Sequence, residues 1–358
     1  MWKFIEKESS GSLLIRFGSR EKKIEDRPKK LDTKKRFFYL LTSLIYFLSS
    51  GCAVYHPRSF PPVNLALPAE YQHYYDYPKP ASVEPKVIFE KKGRSYQIKR
   101  LELPFNLPDE LKSEDLKALQ IEYYIPLDLK PGQKRPAILI SPILGGNMVV
   151  DRFAAYYAGR GYVAAIVHRK KLEWNDAKDI TQVEDYLRTC VIRIRQALDW
   201  LEVQPEVDSK RIGAFGVSYG AILHTVLAAV ESRIQYHVLA MPGGPMADVI
   251  MKCPEKQITK LIRRIREKTG WKDEKILEEL RKTIRTDPIL LAPYVPKAKV
   301  QMYIAWFDRV VWRKNSMNLW RALGKPELKI IPFGHYGGVV VFPLLQTQSY
   351  LAFRKHLA

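Results

Sequence analysis

Short apolar runs recur through the C-terminal two-thirds of the chain, and each is followed by a stretch whose apolar residues return at helical spacing. The runs at 137–140, 162–167 and 212–215 are continuous rather than alternating, as strands buried on both faces must be, and 236–240, 300–305 and 328–331 read as further strands. Segments 149–160, 219–230, 315–323 and 342–356 read as helices. A longer one carries Val183, Leu187, Val191, Ile194, Leu198 and Leu201 on one stripe, with Thr181 and Glu184 placed as a capping box at its start. Such alternation predicts one mostly parallel sheet with helices on both faces. Segments 87–103, broken at Gly93, and 119–125 add shorter strands ahead of it. The order does not repeat, so 86–358 reads as one domain.

The alternation is interrupted once, at about 241–299. Ile258, Leu261, Ile262 and Ile265 form one apolar stripe there, and Ile276, Leu277, Leu280 and Ile284 a second. Lys and Arg crowd the other faces of the first. Two amphipathic helices inserted at a strand end predict a cap over the rim of the sheet.

Gly216-Val217-Ser218-Tyr219-Gly220 sits between a buried strand and a helix. A sharp turn at that place forces the serine into a strained backbone and lifts its hydroxyl above the sheet. Side chains two positions to either side would collide, which accounts for both glycines. The following helix aims its N-terminus at the site, where developing negative charge is favoured.

A serine hydroxyl becomes a useful nucleophile only when a base takes its proton. Of seven histidines, His335 alone follows the last strand within a glycine-rich loop, Phe333-Gly334-His335-Tyr336-Gly337-Gly338. His168 ends a strand at the same rim and is a candidate pocket residue; His224 and His237 read as packing residues. Asp308 follows the strand before His335 and is the candidate acid that orients it. The chain order Ser218, Asp308, His335 is that of one nucleophile-elbow fold. An acyl intermediate needs oxyanion donors. The backbone N–H of Tyr219 is one; the other is expected from the loop Pro142-Ile143-Leu144-Gly145-Gly146, at Leu144 with Ile143 next, since Pro142 has no N–H to give.

From about residue 118 onward the chain resembles the α/β-hydrolase superfamily, and within it the dienelactone-hydrolase-like and acyl-peptidase-like branch. The resemblance rests on Arg211-Ile212-Gly213-Ala214-Phe215-Gly216-Val217-Ser218-Tyr219-Gly220, on Phe307-Asp308-Arg309-Val310-Val311 and on Gly334-His335-Tyr336-Gly337. It implies the α/β-hydrolase fold and a hydrolase with Ser218 as nucleophile, His335 as base and Asp308 as acid. Dienelactone hydrolases themselves carry cysteine at the elbow, whereas this chain has serine.

The N-terminal region reads differently. Lys34, Lys35 and Arg36 precede an uncharged run at 37–50, followed by Gly51 and Cys52. This pattern describes a secretory signal and resembles a bacterial lipoprotein signal with Cys52 as the lipidated residue. An uncleaved anchor is the alternative, although the run is short of the roughly 20 residues a span needs. Residues 1–52 are thus expected to be a signal or anchor. The proline- and tyrosine-rich stretch 53–85 is expected to be an extended linker, with a packed wrap over the domain as the competing reading. The expected location is the cell envelope, with membrane lipid as a partner.

The net charge of +21 invites a nucleic-acid role, but the basic residues are spread along the chain and no nucleic-acid-binding signature occurs. No P-loop, Cys-x-x-Cys or His-Glu-x-x-His motif occurs, so no cofactor or metal is expected. Cys190 and Cys253 could pair in an oxidising compartment. The leading expectation is an envelope-tethered, carboxylesterase-like serine hydrolase acting on a small-molecule ester, with peptidase activity less expected. Acyl transfer through the same intermediate and a non-catalytic envelope binding protein are the alternatives.

Overall fold

The structure, a computed structural model, describes residues 65–79, 84–112, 118–169 and 180–358, with two-residue strands at Arg16–Phe17, Arg20–Glu21 and Val54–Tyr55. The chain divides into units Met1–Gly51 and Cys52–Ala358. In the first, Arg16–Phe17 pairs antiparallel with Arg20–Glu21. The apolar run 37–50 and Cys52 lie outside the described residues. Among those described, no helix is long and apolar enough to cross a membrane.

The second unit holds a ten-stranded sheet. Its strands are β1 Lys86–Lys92, β2 Tyr96–Leu103, β3 Leu119–Pro126, β4 Arg135–Ser141, β5 Val163–Val167, β6 Val207–Val217, β7 Tyr236–Ala240, β8 Val300–Ala305 and β9 Glu327–Ile331. Across the sheet the order is Val54–Tyr55, β9, β8, β7, β6, β4, β5, β3, β2, β1. The strands from β9 to β5 run parallel, and the flanking pairs are antiparallel. The chain leaves β4 toward β5 and then returns to the other side of β4 as β6. That reversal opens a crevice at the carboxyl ends of β4 and β6, the place where open α/β sheets bind ligands.

Helices α1 Met148–Ala158, α2 Thr181–Glu202, α3 Tyr219–Val230, α4 Met246–Lys252, α5 Lys256–Thr269, α6 Asp273–Thr283, α7 Arg313–Ala322 and α8 Phe342–His356 follow in chain order. Successive strand residues point to opposite faces, and β6 shows how both are covered. On one face Phe215 stacks on Phe153 of α1 at 4.4 Å, and the Phe353 ring of α8 would lie 2.8 Å from a Cβ at Gly213, leaving no room for one. On the other, Ile212 and Ala214 join the core built with Val191, Leu198 and Leu201 of α2.

Two expectations need correction, and one possibility left open by the sequence is closed. The capping box at Thr181 and Glu184 does not form: the N-cap is Ile180 and no side chain caps it, because the Glu184 carboxylate is buried and bonded elsewhere. Residues 65–77, within the stretch expected to be an extended linker, are folded onto the domain. Tyr75 is buried and donates to Thr286 Oγ1 at 3.2 Å, Tyr74 donates to Glu184 Oε1 at 2.8 Å, and Tyr77 to Asp199 Oδ2 at 2.8 Å. Pro68 stands at the N-cap of the short helix Ala69–Gln72 and the other prolines lie outside the stretch, while Tyr71 and Tyr75 are buried and Tyr74 and Tyr77 half-buried. Cys190 and Cys253 do not pair; both are free and buried.

His224 and His237 are packing residues, fully enclosed, with their rings 6.5 Å apart. Neither nitrogen of His224 and not the Nδ1 of His237 has a hydrogen-bond partner. Burial pushes His224 down to about 3 and holds His237 well below its ordinary value, the latter also opposed by His224 and Lys299. The unfolded chain protonates both rings below about pH 6.5, whereas the native rings stay neutral. Stability is therefore fully present above about pH 6.5 and falls as the pH drops, by up to about 1.4 kcal/mol per pH unit for each ring. Urea denaturation near neutrality and near pH 5 is expected to show a steeper loss in the wild type than in the double variant His224→Leu, His237→Leu. Equal slopes would contradict this account.

Candidate active site

The carboxyl ends of β4 and β6 lie side by side, with Ser141 in register with Gly216. The elbow must turn within that narrow space. Ser218 takes φ 54° and ψ −118°, a left-handed conformation that is strained for a residue with a side chain. Two backbone bonds pin it: Ser218 N–H donates to Ala240 C=O at 2.8 Å, and Ile222 N–H to Ser218 C=O at 3.0 Å. A Cβ at Gly216 would stand 2.5 Å from the backbone of Gly220, and one at Gly220 would run into the Ser141 carbonyl. Both glycines are required by the close approach of the turn to its neighbours.

Asp308 and His335 come from the turns after β8 and β9. Those turns are laced together, with Trp306 N–H on Ile331 C=O at 2.8 Å and Phe307 N–H on Phe333 C=O at 3.1 Å. Asp308 is buried and fully used. Its Oδ1 accepts from Val310 N–H at 2.8 Å and Val311 N–H at 3.0 Å, and its Oδ2 lies 2.8 Å from His335 Nδ1. Asp308 is fixed by its own turn and in turn fixes the imidazole.

Ser218, Tyr219, Leu144 and His335 line one cavity of about 410 Å³. Ile143, Leu144 and Gly145 enter it from a tight turn closed by Gly146 N–H on Ile143 C=O at 3.2 Å, and the Arg169 guanidinium donates to the Leu144 carbonyl. The insertion supplies Met246, Val249 and Ile250 from α4, and Ile258 and Leu261 from α5. It therefore covers the rim as expected, with α4 as a helix the periodicity did not reveal.

His168 does not line this cavity. Its Nε2 lies 3.5 Å from Glu122 Oε1, and both ring nitrogens are within reach of Asn147 Nδ2. The bonds from His168 and then from Arg100 hold the Glu122 carboxyl down at about 2. Two lining groups escaped the sequence reading. Glu255, at the head of α5, accepts a hydrogen bond from the exposed Tyr336 hydroxyl beside His335, and Tyr186 lines the cavity from α2.

Residues 124–305, about half of the chain, match the sequence profile of the dienelactone hydrolase family. The chain belongs to the dienelactone hydrolase family. As a member of it the chain has solved structural relatives with the same α/β-hydrolase fold. An acetyl xylan esterase from a Paenibacillus species has a TM-score of 0.62 at 15% identity, over 84% of this chain and 97% of that one. Acetyl xylan esterase 1 from a Thermoanaerobacterium species has a TM-score of 0.57 at 17% identity, over 80% and 94%. At these identities the likeness is one of fold. An uncharacterized protein of Mycobacterium tuberculosis is 31% identical over 149 residues, 40% of this chain and 32% of that protein. The chain thus spans about a third of the length of the sequence relatives it matches. This member of the dienelactone hydrolase family carries serine at its elbow.

Proposed function

We propose that this protein is a serine hydrolase that cleaves a small-molecule carboxylic ester through an acyl-enzyme. The observation that carries the reading is the 2.8 Å pairing of His335 Nδ1 with Asp308 Oδ2, made at the wall of the cavity that also holds the strained Ser218. With its proton on Nδ1, His335 presents the Nε2 lone pair as base. Ser218 Oγ attacks the ester carbonyl while His335 takes its proton, and the imidazolium is stabilised by Asp308. The tetrahedral oxyanion is held by the N–H of Tyr219, at the positive end of α3, and by that of Leu144. His335 then protonates the leaving alcohol, and water, deprotonated by the same imidazole, releases the acid.

A fluorophosphonate probe is the test. One equivalent is expected on Ser218 of the wild type and none on Ser218→Ala. Folded wild-type protein that takes up no probe would turn the reading toward a ligand-binding domain without turnover. A second reading, transfer of the acyl group to an alcohol, is favoured by the apolar cap residues over the serine; product analysis with and without added alcohol separates the two.

The envelope tether belongs to the same proposal. The basic flank Lys34 to Arg36, the apolar run 37–50 and Cys52 support lipidation at Cys52. A Cys52→Ala variant is expected in the soluble fraction rather than with membranes, and its retention there would reject lipid attachment.

A further inference from the structure

Outside Ser218, His335, Glu255 and its tyrosines, the cavity is lined by aliphatic, Met, Phe, Cys and Gly residues. One wall is made by α2 and the cap: Val183, Leu187, Val249, Ile250, Ile258 and Leu261, each no more than 8% exposed. No hydrogen-bonding side chain stands among these six. The hydroxyls of a sugar or the amides of a peptide placed there would lose water and gain nothing, a cost of about 1–3 kcal/mol for each group left unpaired. Methylenes pay no such penalty and gain from leaving water. The one charged side chain of the cavity, Glu255, accepts a hydrogen bond from the exposed Tyr336 hydroxyl.

From this lining we infer the substrate class: esters of aliphatic acids, with the acyl chain seated between α2 and the cap. The inference rests on the serine-hydrolase reading above and deepens it. A cavity of about 410 Å³ has room for about a dozen heavy atoms at roughly 30 Å³ each, which sets the preferred acyl length at about six to ten carbons. The cap helices α4 and α5 act as the ruler.

The test is a p-nitrophenyl ester series from acetate to laurate with the full chain. kcat/KM is expected to rise by up to about fourfold per added methylene, to peak between hexanoate and decanoate, and to fall at laurate. In Val249→Phe, which narrows the wall, the octanoate-to-acetate ratio is expected to fall at least tenfold. In Leu261→Ala, which deepens it, the optimum is expected to move to longer chains; this second variant serves if the first does not fold. Ethyl and octyl fluorophosphonates report the same preference without turnover. Labelling of Ser218 combined with faster cleavage of acetate than octanoate, or with wall variants that leave the profile unchanged, would overturn the chain-length inference alone. Absence of labelling and of ester cleavage would overturn the serine-hydrolase reading and the inference with it.

Discussion

Replacing Asp308 with asparagine is expected to lower kcat by about three to four orders of magnitude while leaving the fold and the melting temperature nearly unchanged. The two oxygens of this carboxylate have separate duties. Oδ1 holds the turn by accepting from Val310 and Val311, and Oδ2 faces His335 Nδ1. An asparagine keeps its carbonyl oxygen toward the two backbone N–H groups, which costs little. Its amide nitrogen then faces the imidazole and donates to Nδ1. The proton of the neutral ring moves to Nε2, and the lone pair the serine needs is lost. Asp308→Ala separates the duties in the other direction, since it strands two buried N–H groups. It is expected to cost roughly 2–4 kcal/mol of stability as well as activity. Rates with a short p-nitrophenyl ester, thermal melts and circular dichroism of the two variants check the pair. An asparagine variant with more than a tenth of wild-type kcat would remove Asp308 from the mechanism.

The meeting of Ser218, Asp308 and His335 at one rim was legible because each follows a strand end. A serine lifted between β6 and α3 must have glycine where Gly216 meets Gly220 and where Gly220 meets Ser141, so the sequence carries the geometry. Loop residues whose direction depends on a neighbouring strand carry no such mark. His168 was placed correctly at the rim, but β3 runs beside β5 there and offers Glu122, which turns the ring away from the cavity. The cap helices were legible as amphipathic stripes, yet a stripe does not say what it covers. Periodicity cannot distinguish Ile262, packed in the core, from Leu261, which also walls the cavity.

Glu184 is the residue whose type was least informative and whose removal is expected to cost the most stability. Spacing alone suggested a helix cap. Instead its carboxylate accepts from the Tyr74 hydroxyl at 2.8 Å, the Thr286 hydroxyl at 2.6 Å, and the N–H groups of Arg285 and Thr286, both at 2.9 Å. Burial raises its pKa and those bonds oppose the rise. One side chain of α2 thus joins the N-terminal segment to the end of the cap. The link continues through the next residue: Asp287 accepts from the N–H of Met246 at 2.7 Å, where α4 begins and the cavity wall with it. A leucine at 184 would leave two backbone N–H groups and two hydroxyls without their acceptor; at about one to three kcal/mol for each of the two backbone groups, which cannot turn to other partners, the loss is about 2–6 kcal/mol. Tyr74→Phe removes only one of the four and is expected to cost about 1 kcal/mol. Because both act on one network, the double variant should fall short of the sum of the singles by about that amount. Urea denaturation of the four proteins measures it. Limited proteolysis should reveal cutting near Arg285 in Glu184→Leu before the sheet unfolds, since the cap's return segment is what loses its anchor. A loss below 1 kcal/mol, or strictly additive effects, would mean that the cap is held by its apolar face alone and that the N-terminal segment has no hold on the site.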